Sequence, residues 1–364
     1  MKKHTRQQRF SRLKMGSHKS KDGRTACIFV TSVVLLSILI LGFLFLSPKP
    51  FIYVFLQKGD VSRIPDMYSS PEGFEELTQK SVKHADQIYN SAHENSTYDL
   101  YLPRDMQCPP VLVFVHGGGF LRGDKEMAAY YGPSLAAEGY AVISINYLLV
   151  PDGTLDDQTK QVVDLFNDLP NIVRQYNLDI DNIFVAGTSA GGYLAARVTT
   201  AFYNAEYANQ LGLVFSREMD IQGLILFSAP YEISAIQNIH AGGLLKNLAL
   251  YEVGWAITGD RTWRSNSDLS AQYNLYDYIV KDMPSIFVSD GNHNSFTDQA
   301  KRYVHAAKEA GVHVIALFFD GPTEVGHGYQ MNMRTKEAQI AFKEMINFIT
   351  EHTQSSSTTD FRAQ

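Results

Sequence analysis

Ser189 lies in the run Gly187-Thr188-Ser189-Ala190-Gly191-Gly192, entered from the apolar segment Ile183-Phe184-Val185-Ala186 and left through Tyr193-Leu194-Ala195-Ala196. A strand that enters a Gly-x-Ser-x-Gly turn and leaves as a helix is the context of a nucleophile elbow, in which the serine hydroxyl is pushed up at a helix start. Gly187 and Gly191 lack a Cβ, so strand, turn and helix can close around a strained serine. The bland alternative is a chance pentapeptide. The flanking strand and helix count against it, and so does a second motif upstream. Val111-Leu112-Val113-Phe114-Val115 runs into His116-Gly117-Gly118-Gly119-Phe120. Three adjacent glycines are entropically costly, which calls for an unusually tight turn or for backbone N–H groups presented to a ligand. The chemical reading is an oxyanion hole formed by the N–H groups of Gly118, Gly119 and Ala190, aimed at the charge that develops when Ser189 attacks an acyl carbonyl. His116 is expected to brace this loop rather than to move protons.

A serine nucleophile needs a base, and eleven histidines are available. His327 follows the last apolar run on a glycine-flanked loop, Gly326-His327-Gly328, and comes after the serine in chain order; it is assigned as general base and acid. His293 is the other histidine whose loop could approach the site. His4 and His18 precede the apolar run described below, and His84 and His93 precede the sheet. His240, His305, His313 and His352 lie in an insertion, in helices or at strand edges. Cys108 has no elbow around it and reads as a loop thiol.

These groups must be carried by alternating strands and helices. Strand signals fall at residues 82–89, 97–102, 111–115, 140–147, 183–188, 224–227, 285–288 and 314–319. Helical patterns occupy 127–138, 159–176 (interrupted by Pro170), 297–310 and 337–349. That alternation predicts an α/β protein with a mainly parallel, doubly wound sheet. Residues 235–282, rich in Tyr, Leu and Trp, fit no simple strand–helix unit and read as a cap or insertion.

The 364 residues carry a net charge of −6, but unevenly: nine basic residues against Asp22 precede residue 26, giving 9 − 1 = +8 there and −6 − 8 = −14 beyond. An acidic body argues against nucleic-acid partners. Residues 26–46 carry no charge; as a helix they span about 31 Å, against about 30 Å for a bilayer core. With the basic flank on the N-terminal side, the expectation is an uncleaved signal-anchor with a cytoplasmic N-terminus and the catalytic body on the exoplasmic side of the cell membrane. The expected organisation is a basic arm (1–25), a transmembrane helix (26–46), a stalk (47–81), a catalytic domain (82–352) containing the 235–282 insertion, and a fraying tail (353–364). Cys27 and Cys108 would face different compartments, so no internal disulfide is expected.

The combined motifs resemble the α/β-hydrolase superfamily, and within it the hormone-sensitive-lipase-like carboxylesterases and their acetyl- and feruloyl-esterase relatives. The resemblance is carried by His116 to Phe120 with Gly123-Asp124-Lys125, by Asn146-Tyr147-Leu148-Leu149-Val150-Pro151, by Gly187 to Gly192 and by His327-Gly328-Tyr329. It covers roughly residues 82–350 and implies an ester-cleaving serine hydrolase without metal or organic cofactor; the expected exoplasmic location would suit a short acyl or acetyl ester of a small molecule or surface glycan. Amide hydrolysis, including formamide cleavage, is the alternative chemistry. The sequence departs from the family at one place: Gly291-Asn292-His293-Asn294 puts Asn294 where an aspartate is expected. An amide can orient an imidazole but cannot stabilise its cation by charge. Three outcomes stay open: Asn294 as the orienting residue, a carboxylate relocated to Asp298, Asp290 or Glu232, or a catalytically dead body that binds partners through exposed aromatic residues of the insertion. Oligomeric state is not legible.

Overall fold

The computed structural model describes residues 19–56, 68–216, 218–233 and 243–354. Most of the basic arm, part of the stalk, the start of the insertion with His240, and the tail from residue 355 therefore lie outside the described residues. The chain divides into two compact units, Met1–Pro50 and Phe51–Gln364.

In the first unit a helix, α1 (Lys19–Leu46), covers the predicted span. Its described apolar side chains between Ile28 and Leu39 are exposed. Among the described residues no helix is long and apolar enough to cross a membrane. Cys27 and Cys108 are both free.

In the second unit, eight strands among the described residues form one sheet: β1 (Ser81–Ile88), β2 (Thr97–Pro103), β3 (Pro110–Val115), β4 (Ala141–Ile145), β5 (Asp179–Thr188), β6 (Ile221–Phe227), β7 (Ser285–Asp290) and β8 (Val314–Phe318). Their spatial order is β1-β2-β4-β3-β5-β6-β7-β8. β1 and β2 pair antiparallel, as do β2 and β4, and every later pairing is parallel. The helices after α1 are α2 (Lys49–Leu56), α3 (Phe74–Gln79), α4 (Tyr131–Ala137), α5 (Leu155–Tyr176), α6 (Ala190–Tyr203), α7 (Ala205–Gln210), α8 (Leu244–Thr258), α9 (Ser267–Gln272), α10 (Thr297–Glu309) and α11 (Lys336–His352).

The continuous apolar run of β3 is buried at every position because both faces of the sheet are covered. Val111, Val113 and Val115 point into a cluster with Phe166 of α5, Val198 of α6 and Tyr303 of α10. Leu112 and Phe114 point the other way, towards Leu135 of α4 and Phe348 of α11. β3 also lies where the strand order reverses, with β4 on one side and β5 on the other. The loops leaving the carboxyl ends of β3 and β5 therefore part at the place where open α/β sheets bind ligands.

Three local expectations change. The helix predicted over 127–138 is split into a 3₁₀ turn, Lys125–Ala128, and α4. α5 begins earlier, capped reciprocally by Thr154 and Asp157, and runs through Pro170 without interruption. The stalk gives way to the body well before residue 81: Ser69 N–H donates to Met331 O at 3.2 Å, and Phe74 packs edge-on to Tyr130.

The insertion is tied down by aromatic contacts. Tyr193 of α6 donates to Tyr273 O at 3.1 Å, Tyr207 of α7 donates to Gln272 O at 2.9 Å, and the Tyr207 and Tyr278 rings stack at 3.8 Å. Beneath them the fully buried Arg197 pairs with Asp156 at 2.8 Å and lies over the Tyr273 ring. Trp255 and Trp263 are buried rather than displayed.

Candidate active site

β5 delivers Ser189 at φ 52° and ψ −122°, a strained conformation for a residue with a Cβ. The glycines around it explain how the turn closes. A Cβ on Gly191 would lie 2.2 Å from both His116 O and Val115 O, and one on Gly187 would lie 2.3 Å from Gly191 O. The start of α6 is thereby pressed onto the end of β3, which sets the Ala190 N–H beside the glycine-rich loop.

That loop is braced from several directions. Gly118 has φ +120°, and a Cβ there would overlap Arg122 O at 2.0 Å. Gly118 O accepts from Leu121 N and Arg122 N. Among the described residues no backbone carbonyl accepts from the N–H groups of Gly118, Gly119 or Ala190. His116 is fully buried, stacks on Tyr147 at 4.3 Å and makes a 2.7 Å hydrogen bond from Nδ1 to Gly117 O. Burial pushes its pKa down to about 4, so it is a neutral brace. Tyr147 O–H donates to His116 O at 2.8 Å. Downstream, Lys125 N–H donates to Asn146 Oδ1 at 2.6 Å, and the Lys125 ammonium pairs with Asp86 at 2.8 Å and Asp99 at 3.2 Å.

His327 reaches the serine: its Nε2 lies 2.9 Å from Ser189 Oγ. Phe296 packs edge-on against the imidazole at 5.3 Å. The ring is part-buried, and burial holds its pKa below the usual histidine value, so the neutral base is the resting form at pH 7. Nδ1 lies 3.0 Å from Ser295 Oγ, and Ser295 in turn hydrogen-bonds to Asp290 Oδ1. Asp290 is buried at the end of β7, accepts from Gly291 N–H at 2.7 Å, and is pushed up to about 6 by desolvation.

Asn294 is not the third partner of the histidine. It has a left-handed backbone, φ 48°, which turns its side chain to the surface; there Nδ2 lies 2.6 Å from His293 Nε2. The following residue, Ser295, is turned inwards instead. His293 is exposed, with Nδ1 3.6 Å from Glu324. Glu232 pairs with Arg302 at 3.2 Å, and Asp298 is an exposed residue in the first turn of α10. Among the described residues no hydrogen bond joins either to His327. Of the relocated carboxylates it is Asp290 that connects to the histidine there, through a serine that the family pattern does not point to. The one sequence hint for this was the residue type at 294: Asn tolerates a left-handed backbone and so can shift the inward position by one.

The facing loops are locked together. Asn292 and His293 N–H groups donate to Val325 O at 2.9 and 3.0 Å, Val325 N–H donates to Asn292 Oδ1 at 2.8 Å, and a Cβ on Gly291 would lie 2.2 Å from Val325 O. These contacts fix Ser295 and His327 relative to each other. Among the described residues no group of three or more His, Cys, Asp or Glu side chains could hold a metal ion.

A sheet of this order, with a serine at the β5–α6 elbow and a histidine on the loop after β8 within hydrogen-bond reach, defines an α/β-hydrolase. The BD-FAE family model matches residues 98–308, more than half of the chain, and the chain belongs to that family. Among curated proteins it is similar to the probable isoprenylcysteine alpha-carbonyl methylesterase ICMEL1 of Arabidopsis thaliana, 24% identical over 72% of this chain and 54% of the relative. It is also similar to the kynurenine formamidase of Salmo salar, 25% identical over 42% of this chain and 48% of the relative. The chain thus spans about half the length of these curated relatives. Among solved structures, esterase B from Lactobacillus Rhamnosis superposes with a TM-score of 0.66 at 22% identity, over 78% of this chain and 87% of that one; the likeness is one of fold.

Proposed function

We propose that this chain is a serine hydrolase of carboxylic esters, tethered to the cell membrane through its N-terminal helix with the body on the exoplasmic side. The observation that carries the chemistry is the 2.9 Å contact between Ser189 Oγ and His327 Nε2 at the strained elbow. Ser189 attacks the ester carbonyl as His327 takes its proton; the N–H groups of Gly118, Gly119 and Ala190 hold the oxyanion. His327 then returns the proton to the leaving alcohol, and water, activated by the same imidazole, releases the acid from the acyl-enzyme. The substrate class is a short acyl or acetyl ester of a small molecule or surface glycan. The methylesterase names among the relatives add methyl esters to the panel worth assaying.

The tether is supported by the uncharged run of residues 26–46, by the basic flank before it, and by the exposure of Ile28, Phe29 and Leu39 on α1. Amide hydrolysis is the second reading, favoured by the similarity to a kynurenine formamidase. A dead binding module loses support on two counts. Its exposed aromatic surface is missing where the two tryptophans lie, and His327 has a hydrogen-bonded partner despite Asn294. The test is hydrolysis of matched 4-nitrophenyl acetate, butyrate and methyl-ester substrates alongside the corresponding anilides. Ester turnover that falls on the order of 10³-fold or more in Ser189→Ala and His327→Ala supports the reading. Anilide turnover exceeding that of every ester would move the assignment to an amidase.

A further inference from the structure

We propose that Ser295 and Asp290 together replace the missing acid: Ser295, as a positioning residue, gives its one proton to Asp290, presents lone pairs to His327 Nδ1, and so fixes the imidazole tautomer that accepts the Ser189 proton. This rests on the ester-hydrolase reading of Ser189 and His327 and adds a relay to it. The argument is a proton count. A serine hydroxyl has one donor and two acceptor sites, and an ionised carboxylate only accepts. Ser295 Oγ stands between Asp290 Oδ1 and His327 Nδ1, at 3.0 Å from the latter. With Asp290 ionised, the hydroxyl proton points to the carboxylate, so Nδ1 must carry the hydrogen shared with Ser295. Nε2 is then the bare nitrogen, 2.9 Å from Ser189 Oγ.

During attack the Ser189 proton moves to Nε2 and the imidazolium keeps its Nδ1 hydrogen. No proton crosses Ser295. Asp290 stabilises the cation through the polarised hydroxyl, while a direct aspartate would do so in contact. The titratable groups facing Asp290 are His327 through Ser295 and the phenols of Tyr231 and Tyr329, both pushed up chiefly by burial and therefore neutral. Protonation of Asp290 lets the carboxylic acid donate to Ser295, which frees the hydroxyl to donate to Nδ1 and selects the wrong tautomer. The relay therefore works only above the titration of Asp290, which burial moves up to about 6.

The experiment combines kinetics on the full chain with nitrogen-15 shifts of His327, which report the tautomer without turnover. Ser295→Ala is expected to lower kcat about 10²-fold with KM little changed, and Ser295→Thr, which keeps the hydroxyl, to recover most of it. Wild-type kcat/KM should fall on the acid side with a two-proton limb belonging to the coupled pair, and Asp290→Asn should reduce that limb to one proton. His327 should carry its proton on Nδ1 in the wild type at pH 8 and shift towards a mixture in Ser295→Ala. An Nε2-protonated wild-type imidazole would overturn the relay, whether or not esters are cleaved. So would wild-type kcat in Ser295→Ala, or an acid limb unchanged in Asp290→Asn. The expected tautomer in a protein that cleaves no ester would instead overturn the reaction and leave the relay standing.

Discussion

Ser189 and Asp290 are both held in states that folding alone disfavours, one by backbone strain and one by burial. Asp290 titrates at about 6 in the fold against an ordinary 3.8. The unfolded chain thus loses this proton first as pH rises, and stability is lost between roughly pH 4 and 6. Asp290→Asn should remove that loss and raise stability at pH 7, by on the order of 1–3 kcal/mol, while lowering activity. Chemical denaturation at pH 4, 5 and 7 checks the sign; a variant less stable than wild type only at pH 7 would contradict it. Asn294→Ala should cost far less activity than Ser295→Ala, because its side chain meets His293 at the surface. At this scale the serine, the histidine and the glycine triplet were legible because each has a motif. Ser295 was not: a one-residue shift at a left-handed Asn294 has no spacing signature of its own.

At the scale of elements, the site depends on how closely α6 sits on β3. Gly191→Ala would place a methyl 2.2 Å from two backbone carbonyls that cannot move independently. We expect a loss of about 1–3 kcal/mol or more together with loss of ester turnover, read as a lowered Tm and lowered kcat. Gly321→Ala serves as the contrast: Gly321, unlike Gly191, has a positive φ, but there is open space around its Cβ, so the variant should show a stability cost without loss of the elbow. All eight strands were readable; central ones such as β3 are continuous apolar runs, as strands covered on both faces require. The helix boundaries were less so. Pro170 suggested a break, but the buried face of α5, Leu165, Phe166, Leu169 and Val173, packs strongly enough to carry the helix through it. The reciprocal Thr154–Asp157 cap starts the helix ahead of its apolar periodicity.

For the whole molecule, the sequence joins a basic arm to an acidic body through an uncharged run, and the proposed tether is testable at this scale. The full-length chain is expected to stay in the membrane pellet after an alkaline carbonate wash, and a membrane-impermeant serine-hydrolase probe is expected to label it on intact cells. Release by carbonate, or labelling only after lysis, would contradict the tether or its orientation. The aromatic composition of residues 235–282 marks them off from the strand–helix units on either side. Their attachment was not legible, since the burial of Arg197 beneath Tyr273 is set by packing between segments distant in sequence. The central claim is that Ser189, raised by the elbow and served by His327, is the nucleophile. Fluorophosphonate treatment followed by peptide mapping tests it most directly: one adduct on the peptide containing Ser189, absent in Ser189→Ala and much slower to form in His327→Ala, is predicted. Equal labelling of wild type and Ser189→Ala would contradict the account.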